Sequence, residues 1–156
     1  MWFHINLCGI EVHFRICDYE PSTEDDWYAQ WCNVDFSFRF ANYLNYHGES
    51  AEVLLSAEVE SLETALTQLL RDQVTEISTL SFVEPDFKFI LHPKRDKRKD
   101  GVICRPGTEI ADIYLEWKIY FWDDGLTDNH LTVVLDRNDI RAFRDYLSDI
   151  IRPKLK

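Results

Sequence analysis

Residues 34–40 read VDFSFRF, and apolar and polar side chains alternate through them without a break. A repeat of two residues places one set of side chains on one face of an extended chain. This stretch predicts a long antiparallel strand with one face in a core and the other in water. The apolar set is Val34, Phe36, Phe38, Phe40, Leu44 and Tyr46, and the polar set is Asp35, Ser37, Arg39 and Asn45.

Strand patterns also occur on both sides of this stretch. Alternation through residues 3–16 changes parity at Gly9, which predicts a tight turn or a bulge there. Residues 45–50 have the composition of a turn. Pro85 interrupts a later strand pattern and predicts an edge position or a break. Residues 112–123 again alternate and predict another half-buried strand.

Two stretches change to a helical period. Apolar residues recur every three or four positions over about 57–73, with Ser56 as the predicted N-cap. The same spacing recurs over about 138–151, where Asp136 or Asn138 is the predicted cap. Runs of strands interrupted by two amphipathic helices predict an α+β fold with mostly antiparallel sheet.

Length and charge limit the class of protein. Residues 1–156 suit one domain, because 156 residues with 46% apolar content suffice for a core. The 28 acids outnumber the 17 bases, which gives a net charge of −11. Such a surface repels nucleic acid and anionic membranes and attracts basic partners. Residues 94–100 hold five bases and two acids but no aromatic residue, which favours a solvated hairpin loop over a nucleic-acid site. We therefore expect a protein partner, no nucleic acid and no membrane.

The amino terminus lacks the basic and long apolar regions of a signal peptide, and no run approaches a membrane span. These features predict a cytoplasmic protein. In that compartment Cys8, Cys17, Cys32 and Cys104 are expected to be reduced thiols that act as small core residues. A disulfide is the alternative.

No motif of catalysis or cofactor binding is present. The sequence has no phosphate-binding glycine loop, no Gly-x-Ser-x-Gly elbow and no His-Glu-x-x-His zinc helix. The cysteines lack zinc spacing, and the histidines are scattered. His4 and His13 flank Cys8 and leave a metal site there as an alternative. We expect no catalytic residue, no metal and no cofactor.

Residues 20–31, EPSTEDDWYAQW, combine four carboxylates with three large aromatic residues and contain no base. We call this stretch the acidic-aromatic segment. Aromatic anchors beside carboxylates suit an interface with a basic partner. An ordinary acidic loop whose two tryptophans fold back onto the core is the alternative. The predicted partner contacts are Glu24, Asp25, Asp26, Trp27 and Trp31.

A second group of aromatic residues lies on the outward face of the predicted strand over 112–123. This face carries more aromatic residues than a solvent-exposed face normally does, namely Tyr114, Tyr120 and Trp122. Either helices cover this face or a partner binds it. The two amphipathic helices need a sheet to pack on, which favours covering. Trp122, Asp123 and Asp124, which we call the Trp122 cluster, are predicted as secondary contacts.

The layout resembles the WapI-type family of small bacterial immunity proteins, which are encoded beside polymorphic toxins. The resemblance rests on Asp25-Asp26-Trp27 before a long strand, a Leu-rich helix, and Phe82-Val83-Glu84-Pro85-Asp86-Phe87. A late hairpin then leads into a closing helix. The resemblance implies a non-catalytic protein that binds a cognate toxin domain and covers its active surface. Many such toxins are basic nucleases, which agrees with the acidic charge.

Two other classes of function remain open from the residues. An enzyme could use a carboxylate pair at Glu84 and Asp86 on a small substrate. A structural domain could self-associate through Tyr114, Tyr120 and Trp122. The sequence does not fix the oligomeric state.

Overall fold

The computed structural model describes residues 1–26 and 28–153. Within them the chain forms two four-stranded antiparallel sheets, a two-stranded ribbon and two α-helices, so the α+β prediction is confirmed. In chain order the elements are β1 (Phe3–Leu7), β2 (Ile10–Ile16), β3 (Trp31–Phe40), β4 (Leu44–Leu55), α1 (Ser56–Leu70), β5 (Ser78–Ser81), β6 (Phe87–His92), β7 (Arg95–Asp96), β8 (Ile110–Ala111), β9 (Tyr114–Trp122), β10 (Leu126–Leu135) and α2 (Arg137–Ile151).

The first sheet has the strand order β1-β2-β3-β4, so each strand pairs with its neighbour in sequence. Cys8 and Gly9 form a two-residue turn between β1 and β2, with φ angles of 53° and 95°. Positive φ at both central positions suits the twist of a tight hairpin. The turn predicted at Gly9 is confirmed.

The second sheet has the order β10-β9-β6-β5, and β7 pairs with β8 in a separate ribbon. Pro85 lies between β5 and β6, so the break predicted there is confirmed. The hairpin from β9 to β10 turns at residues 123–125, where the Asp123 N–H donates to the Gly125 carbonyl at 3.0 Å.

Both helices lie close to their predicted positions. Asp136 caps α2, because its carboxylate accepts hydrogen bonds from the backbone N–H groups of Asn138 and Asp139 at 2.8 and 2.9 Å. Ser56 is not the cap of α1. It is buried inside the first turn, and its hydroxyl lies 3.4 Å from the Cys32 sulfur.

The core is an aromatic cluster around Trp117 of β9. Its ring lies 5.6 and 5.3 Å from the rings of Phe14 and Phe38, which belong to the first sheet. Phe143 of α2 stacks on the same indole at 5.2 Å with an interplanar angle of 10°. The apolar faces of both sheets and one face of α2 therefore meet at one side chain. We call these the inner faces, and the opposite faces of the sheets the outer faces.

The expectation that helices cover the face bearing Tyr114 and Tyr120 is wrong. Phe143 of α2 packs on Trp117, which lies on the opposite face of β9. Tyr114 stacks on His92 at 4.0 Å and Tyr120 lies 5.1 Å from His130, so both contact side chains of their own sheet. The apolar inner face offers α2 more buried area than a half-polar outer face.

The turn predicted at residues 45–50 is also wrong, because β4 runs from Leu44 to Leu55. Gly48 lies opposite Phe36 in the register of β3 and β4. A Cβ atom on Gly48 would come within 2.7 Å of two ring carbons of Phe36. The glycine thus leaves room for a core phenylalanine, and the chain turns earlier, at residues 41–43.

The cysteines were predicted as small core residues, and this holds only for Cys32. Cys8 and Cys17 are exposed, and Cys104 is partly exposed in the loop before β8. All four are free thiols. Cys8 is exposed because it occupies the hairpin turn that its position beside Gly9 requires.

The contact between Gly48 and Phe36 generates the first prediction. Gly48→Ala should lower the free energy of unfolding by about 1–3 kcal/mol, because the added methyl group overpacks a buried ring. Denaturant unfolding monitored by tryptophan fluorescence measures the change. In a Phe36→Leu background the same substitution should cost less. An equal cost in both backgrounds would contradict the assigned contact.

Arg137 joins the end of α1 to the start of α2. Its guanidinium donates to the Leu70 carbonyl at 3.0 Å and lies 2.7 Å from carboxylate oxygens of both Asp72 and Asp112. Hydrogen bonding from Arg137 holds the pKa of Asp112 at about 2. The same guanidinium, helped by Lys94, lowers the pKa of Asp72.

Acid should therefore weaken this junction. A carboxylate whose pKa is lowered in the folded state stabilises it above the unfolded pKa, and the contribution is lost as pH falls from about 4 through about 2. Arg137→Gln should reduce stability at pH 6 by roughly 1 kcal/mol, because both carboxylates are partly exposed. The difference from the parent should shrink between pH 4 and pH 2 in urea unfolding. Arg141→Gln, which removes an exposed helix arginine, is the control and should show no such trend.

Candidate binding surface

The acidic-aromatic segment leaves the end of β2 and reaches the start of β3. Glu24, Asp25 and Asp26 are exposed. The Asp26 N–H donates to the Thr23 carbonyl at 3.3 Å, so the carboxylates lie on a turn. Trp27 lies outside the described residues. Glu20 is exposed as well, so the segment presents four carboxylates to solvent.

Glu60 of α1 fastens the start of this segment to the fold. Its Oε1 accepts the Tyr19 hydroxyl proton at 2.6 Å and the Ser22 N–H at 3.0 Å, and its Oε2 accepts from the Ser22 hydroxyl at 2.6 Å. Burial opposes ionisation, but these hydrogen bonds outweigh it and lower the pKa of Glu60. An ionised acceptor with three donors holds Ser22, near the start of the segment, against α1.

Trp31 ends the segment as the first residue of β3 and is half-buried. Cys32 and Val34 next to it are fully buried on the inner face. Strand alternation therefore places Trp31 on the outer face of the first sheet, on the same side as Asp35 and Arg39. Trp31 does not join the Trp117 core.

The Trp122 cluster lies at the turn from β9 to β10. Trp122 is 43% exposed, and Asp123 and Asp124 are exposed beside it. The Trp122 indole donates a hydrogen bond to the carboxyl group of Asp86. This bond fixes the edge of the ring and leaves much of the ring surface in water.

The structure does not bring the two predicted clusters together. The Tyr46 hydroxyl donates to the Tyr120 carbonyl at 3.4 Å, so the end of β9 lies near Tyr46. Tyr46 pairs with Phe38, seven residues along β3 from Trp31. At about 3.3 Å per residue the separation along β3 is about 23 Å. One partner would need a standard-sized interface to contact both clusters.

A groove of 780 Å³ crosses the outer face of the first sheet. The residues that line it include Trp2, Arg15, Asp35, Arg39 and His47, and we call it the Trp2 groove. Alternation alone predicts that Asp35 and Arg39 face outward. Their meeting with Trp2 and with side chains of β2 and β4 depends on strand register, which the sequence pattern does not contain.

Asp86, one half of the carboxylate pair in the enzyme alternative, is buried. Burial raises the pKa of its carboxyl group, the Trp122 hydrogen bond opposes the rise, and the charge of Glu84 adds to it. A cleft of 250 Å³ nearby is lined by Pro85, Phe87 and Tyr120, among others, but by neither Glu84 nor Asp86. The raised pKa of Asp86 thus has burial as its main cause.

Comparison with protein families matches residues 4–153 to the immunity protein WapI-like family. The chain belongs to this family. The resemblance inferred from residues 25–27 and 82–87 is confirmed. A comparison with curated proteins found no match.

The region matched to the WapI-like family contains the acidic-aromatic segment, the Trp122 cluster and nearly all of the Trp2 groove. Trp2 itself precedes the matched range. Family membership therefore does not show which of these surfaces binds a partner, and only their geometry distinguishes them.

The basic segment over residues 94–100 contains much of its own counter-charge. Arg98 pairs with Asp96 at 2.7 Å and Arg95 pairs with Asp100 at 3.0 Å. Lys94 pairs with Asp72 at 3.1 Å. These pairs neutralise three of the five bases, which weakens an attraction for polyanions.

Residues 1–26 and 28–153 contain neither a cluster of metal ligands nor a helix that could span a membrane. No group of three or more His, Cys, Asp or Glu side chains converges there as a metal site. His4 and His13 are cross-strand neighbours with ring centroids 4.3 Å apart, but no third ligand of these types joins them in the described part of the chain. Neither helix among these residues has the length and apolar content to cross a bilayer.

The role of Glu60 can be tested by hydrogen exchange. Glu60→Ala should raise the exchange rate of the Ser22 amide by roughly tenfold or more, since its acceptor is lost. Mass spectrometry of peptides covering residues 19–26 measures the change. Ser61→Ala, at the exposed neighbouring position, should leave exchange unaltered. Equal protection in both variants would mean that Glu60 does not hold the segment.

Proposed function

We propose that this chain is a cytoplasmic immunity protein that neutralises a cognate bacterial toxin by direct, non-catalytic contact. The observation that carries the proposal is the match of residues 4–153 to the immunity protein WapI-like family. A protein of this kind needs a surface that fits its toxin and needs no catalytic group.

The charge of the chain supports a basic toxin domain as the partner. A net charge of −11 attracts a basic protein at long range and speeds the encounter. Nucleic acid and anionic lipid would be repelled by the same field. The proposal therefore has one kind of partner, a basic protein domain.

The acidic-aromatic segment is the proposed primary contact. Glu24, Asp25 and Asp26 meet basic side chains of the toxin, and Trp27 and Trp31 supply apolar anchors. The hydrogen bonds of Glu60 support this assignment, because a segment fixed before binding loses less conformational entropy on association. The proposed secondary contacts are Trp122, Asp123 and Asp124.

A co-expression experiment tests the function itself. The carboxy-terminal domain of the reading frame immediately upstream is produced in cells with and without this chain. Survival only in the presence of the chain, together with co-purification of the two proteins, is the expected result. Equal killing in both cultures would overturn the proposal.

Charge reversal tests the acidic segment. Asp25→Lys with Asp26→Lys should lower the association rate constant with the toxin domain by roughly tenfold at low salt, and the effect should shrink as salt screens it. Surface plasmon resonance at two salt concentrations measures both changes. Glu76→Lys with Asp145→Lys makes the same change in net charge elsewhere. Equal losses in the two double variants would show that only net charge matters and would contradict a local site.

A further inference from the structure

The outer face of the first sheet carries polar and aromatic side chains from all four strands. Strand register places His4 beside His13, His13 beside Ser37, and Ser37 beside His47, so one row crosses the whole sheet. Trp31 lies on this face at the start of β3. The acidic-aromatic segment therefore leads directly onto the face that contains the Trp2 groove.

One wall of the groove is a preformed cluster around Arg15. Its guanidinium lies 4.6 Å from the centre of the Trp2 ring, and its Nε donates to Asp35 Oδ2 at 3.1 Å. The other oxygen of Asp35 accepts the Ser50 N–H at 2.8 Å. Every charge in this cluster has its partner within the chain. Trp2 is nevertheless 42% exposed, so part of the indole that contacts Arg15 remains available.

The centre of the groove differs, because its polar groups have no partner in the part of the chain that the structure describes. Within the described residues, the side chains of Arg39, Asn45 and His47 form no hydrogen bond or ion pair, and all three are exposed. Ser37 between them is likewise unpaired in that part of the chain. Donors that converge in a concave surface beside a held tryptophan are typical of an interface centre.

Charge decides what kind of molecule fits. Donors at the centre, from Arg39 above all, require carboxylate or carbonyl acceptors on the partner. Glu11 and Glu49 lie around that centre, and Glu24, Asp25 and Asp26 follow beyond Trp31. A polyanion such as nucleic acid would meet these carboxylates. A protein surface with basic side chains at its periphery and an acceptor group at its centre complements both the surrounding carboxylates and the donors at the centre of the groove.

We propose that the Trp2 groove is the floor of the toxin-docking surface, with the acidic-aromatic segment as its rim. Trp2 packs against the toxin, and Arg39 with His47 receives an acidic side chain or a backbone carbonyl of the toxin. This inference rests on the proposed function and adds the surface and the chemistry of the partner's central contact.

Size supports the combination of floor and rim. Four strands about 4.8 Å apart and the roughly 26 Å from Trp31 to Arg39 give a face of roughly 400–500 Å². A stable interface needs about 800 Å² on each partner. The face alone is therefore too small, and an interface of that size must include adjoining surface such as the acidic-aromatic segment, which continues into the start of β3.

The test measures binding of the purified chain to the toxin domain by calorimetry. Arg39→Glu should raise Kd by roughly tenfold or more, because it places a carboxylate where an acceptor of the toxin binds. Arg141→Glu makes the same change at an exposed position on α2 and should alter Kd less than twofold. Trp2→Ala should weaken binding, and Trp2→Phe, which keeps a ring on Arg15, should restore part of the loss. Circular dichroism confirms that each variant is folded before binding is measured.

The outcomes separate this proposal from the proposed function. If the parent chain binds the toxin and folded Arg39→Glu and Trp2→Ala bind equally well, the groove assignment is overturned and the immunity function stands. If the parent chain neither binds nor protects cells, the function fails, and the docking surface with it. If light scattering shows that Arg39→Glu changes self-association while toxin binding is unchanged, a second copy occupies the groove and the proposal is wrong.

Discussion

The packing of three elements on Trp117 is the constraint on which the rest of the structure depends. The inner faces of both sheets and Phe143 of α2 contact this one indole. Its N–H is buried without a hydrogen-bond partner among the described residues, which costs about 1–3 kcal/mol. Burial of the ring, roughly 250 Å² at about 25 cal/mol per Å², contributes about 6 kcal/mol and outweighs that cost. Because α2 packs against the inner faces of the sheets, their outer faces remain available for binding.

Local patterns sufficed wherever a residue's role depends on its neighbours in sequence. Alternation from Val34 predicted β3, although the predicted strand ran on to Tyr46, whereas β3 ends at Phe40 and Tyr46 belongs to β4. The start of α2 was predicted at Asp136 or Asn138, and Asp136 is the cap. The turn predicted around Gly48 was wrong for the opposite reason, since the role of Gly48 is to make room for Phe36 across the strand pair. Composition marks a glycine as a turn residue, and only register shows which ring it faces. The prediction that helices cover the outer face of β9 was wrong for a similar reason, because tertiary packing decides which face of the sheet α2 contacts.

The candidate site likewise has one part that the sequence could predict and one part that it could not. The acidic-aromatic segment is contiguous in sequence, so its carboxylates could be identified directly. The Trp2 groove is assembled from Trp2, which precedes β1, and from residues of β2, β3 and β4, and its central groups come from positions that look like ordinary outward residues of separate strands. Arg15 forms an ion pair with Asp35 of β3. Arg39, four residues after Asp35 on the same strand, forms no ion pair within the described residues. No one-dimensional pattern carries that distinction.

The two parts of the proposed surface act over different distances, which explains how an acidic protein can use a cationic centre. The field of exposed charges extends about 8 Å at physiological salt, so an approaching toxin is influenced first by the carboxylates at the rim. Arg39 acts only at contact, where water is excluded and an acceptor must replace it. A basic protein without that acceptor would arrive quickly and leave Arg39 desolvated and unpaired. Attraction at the rim thus governs encounter with many basic proteins, whereas the centre of the groove selects one of them.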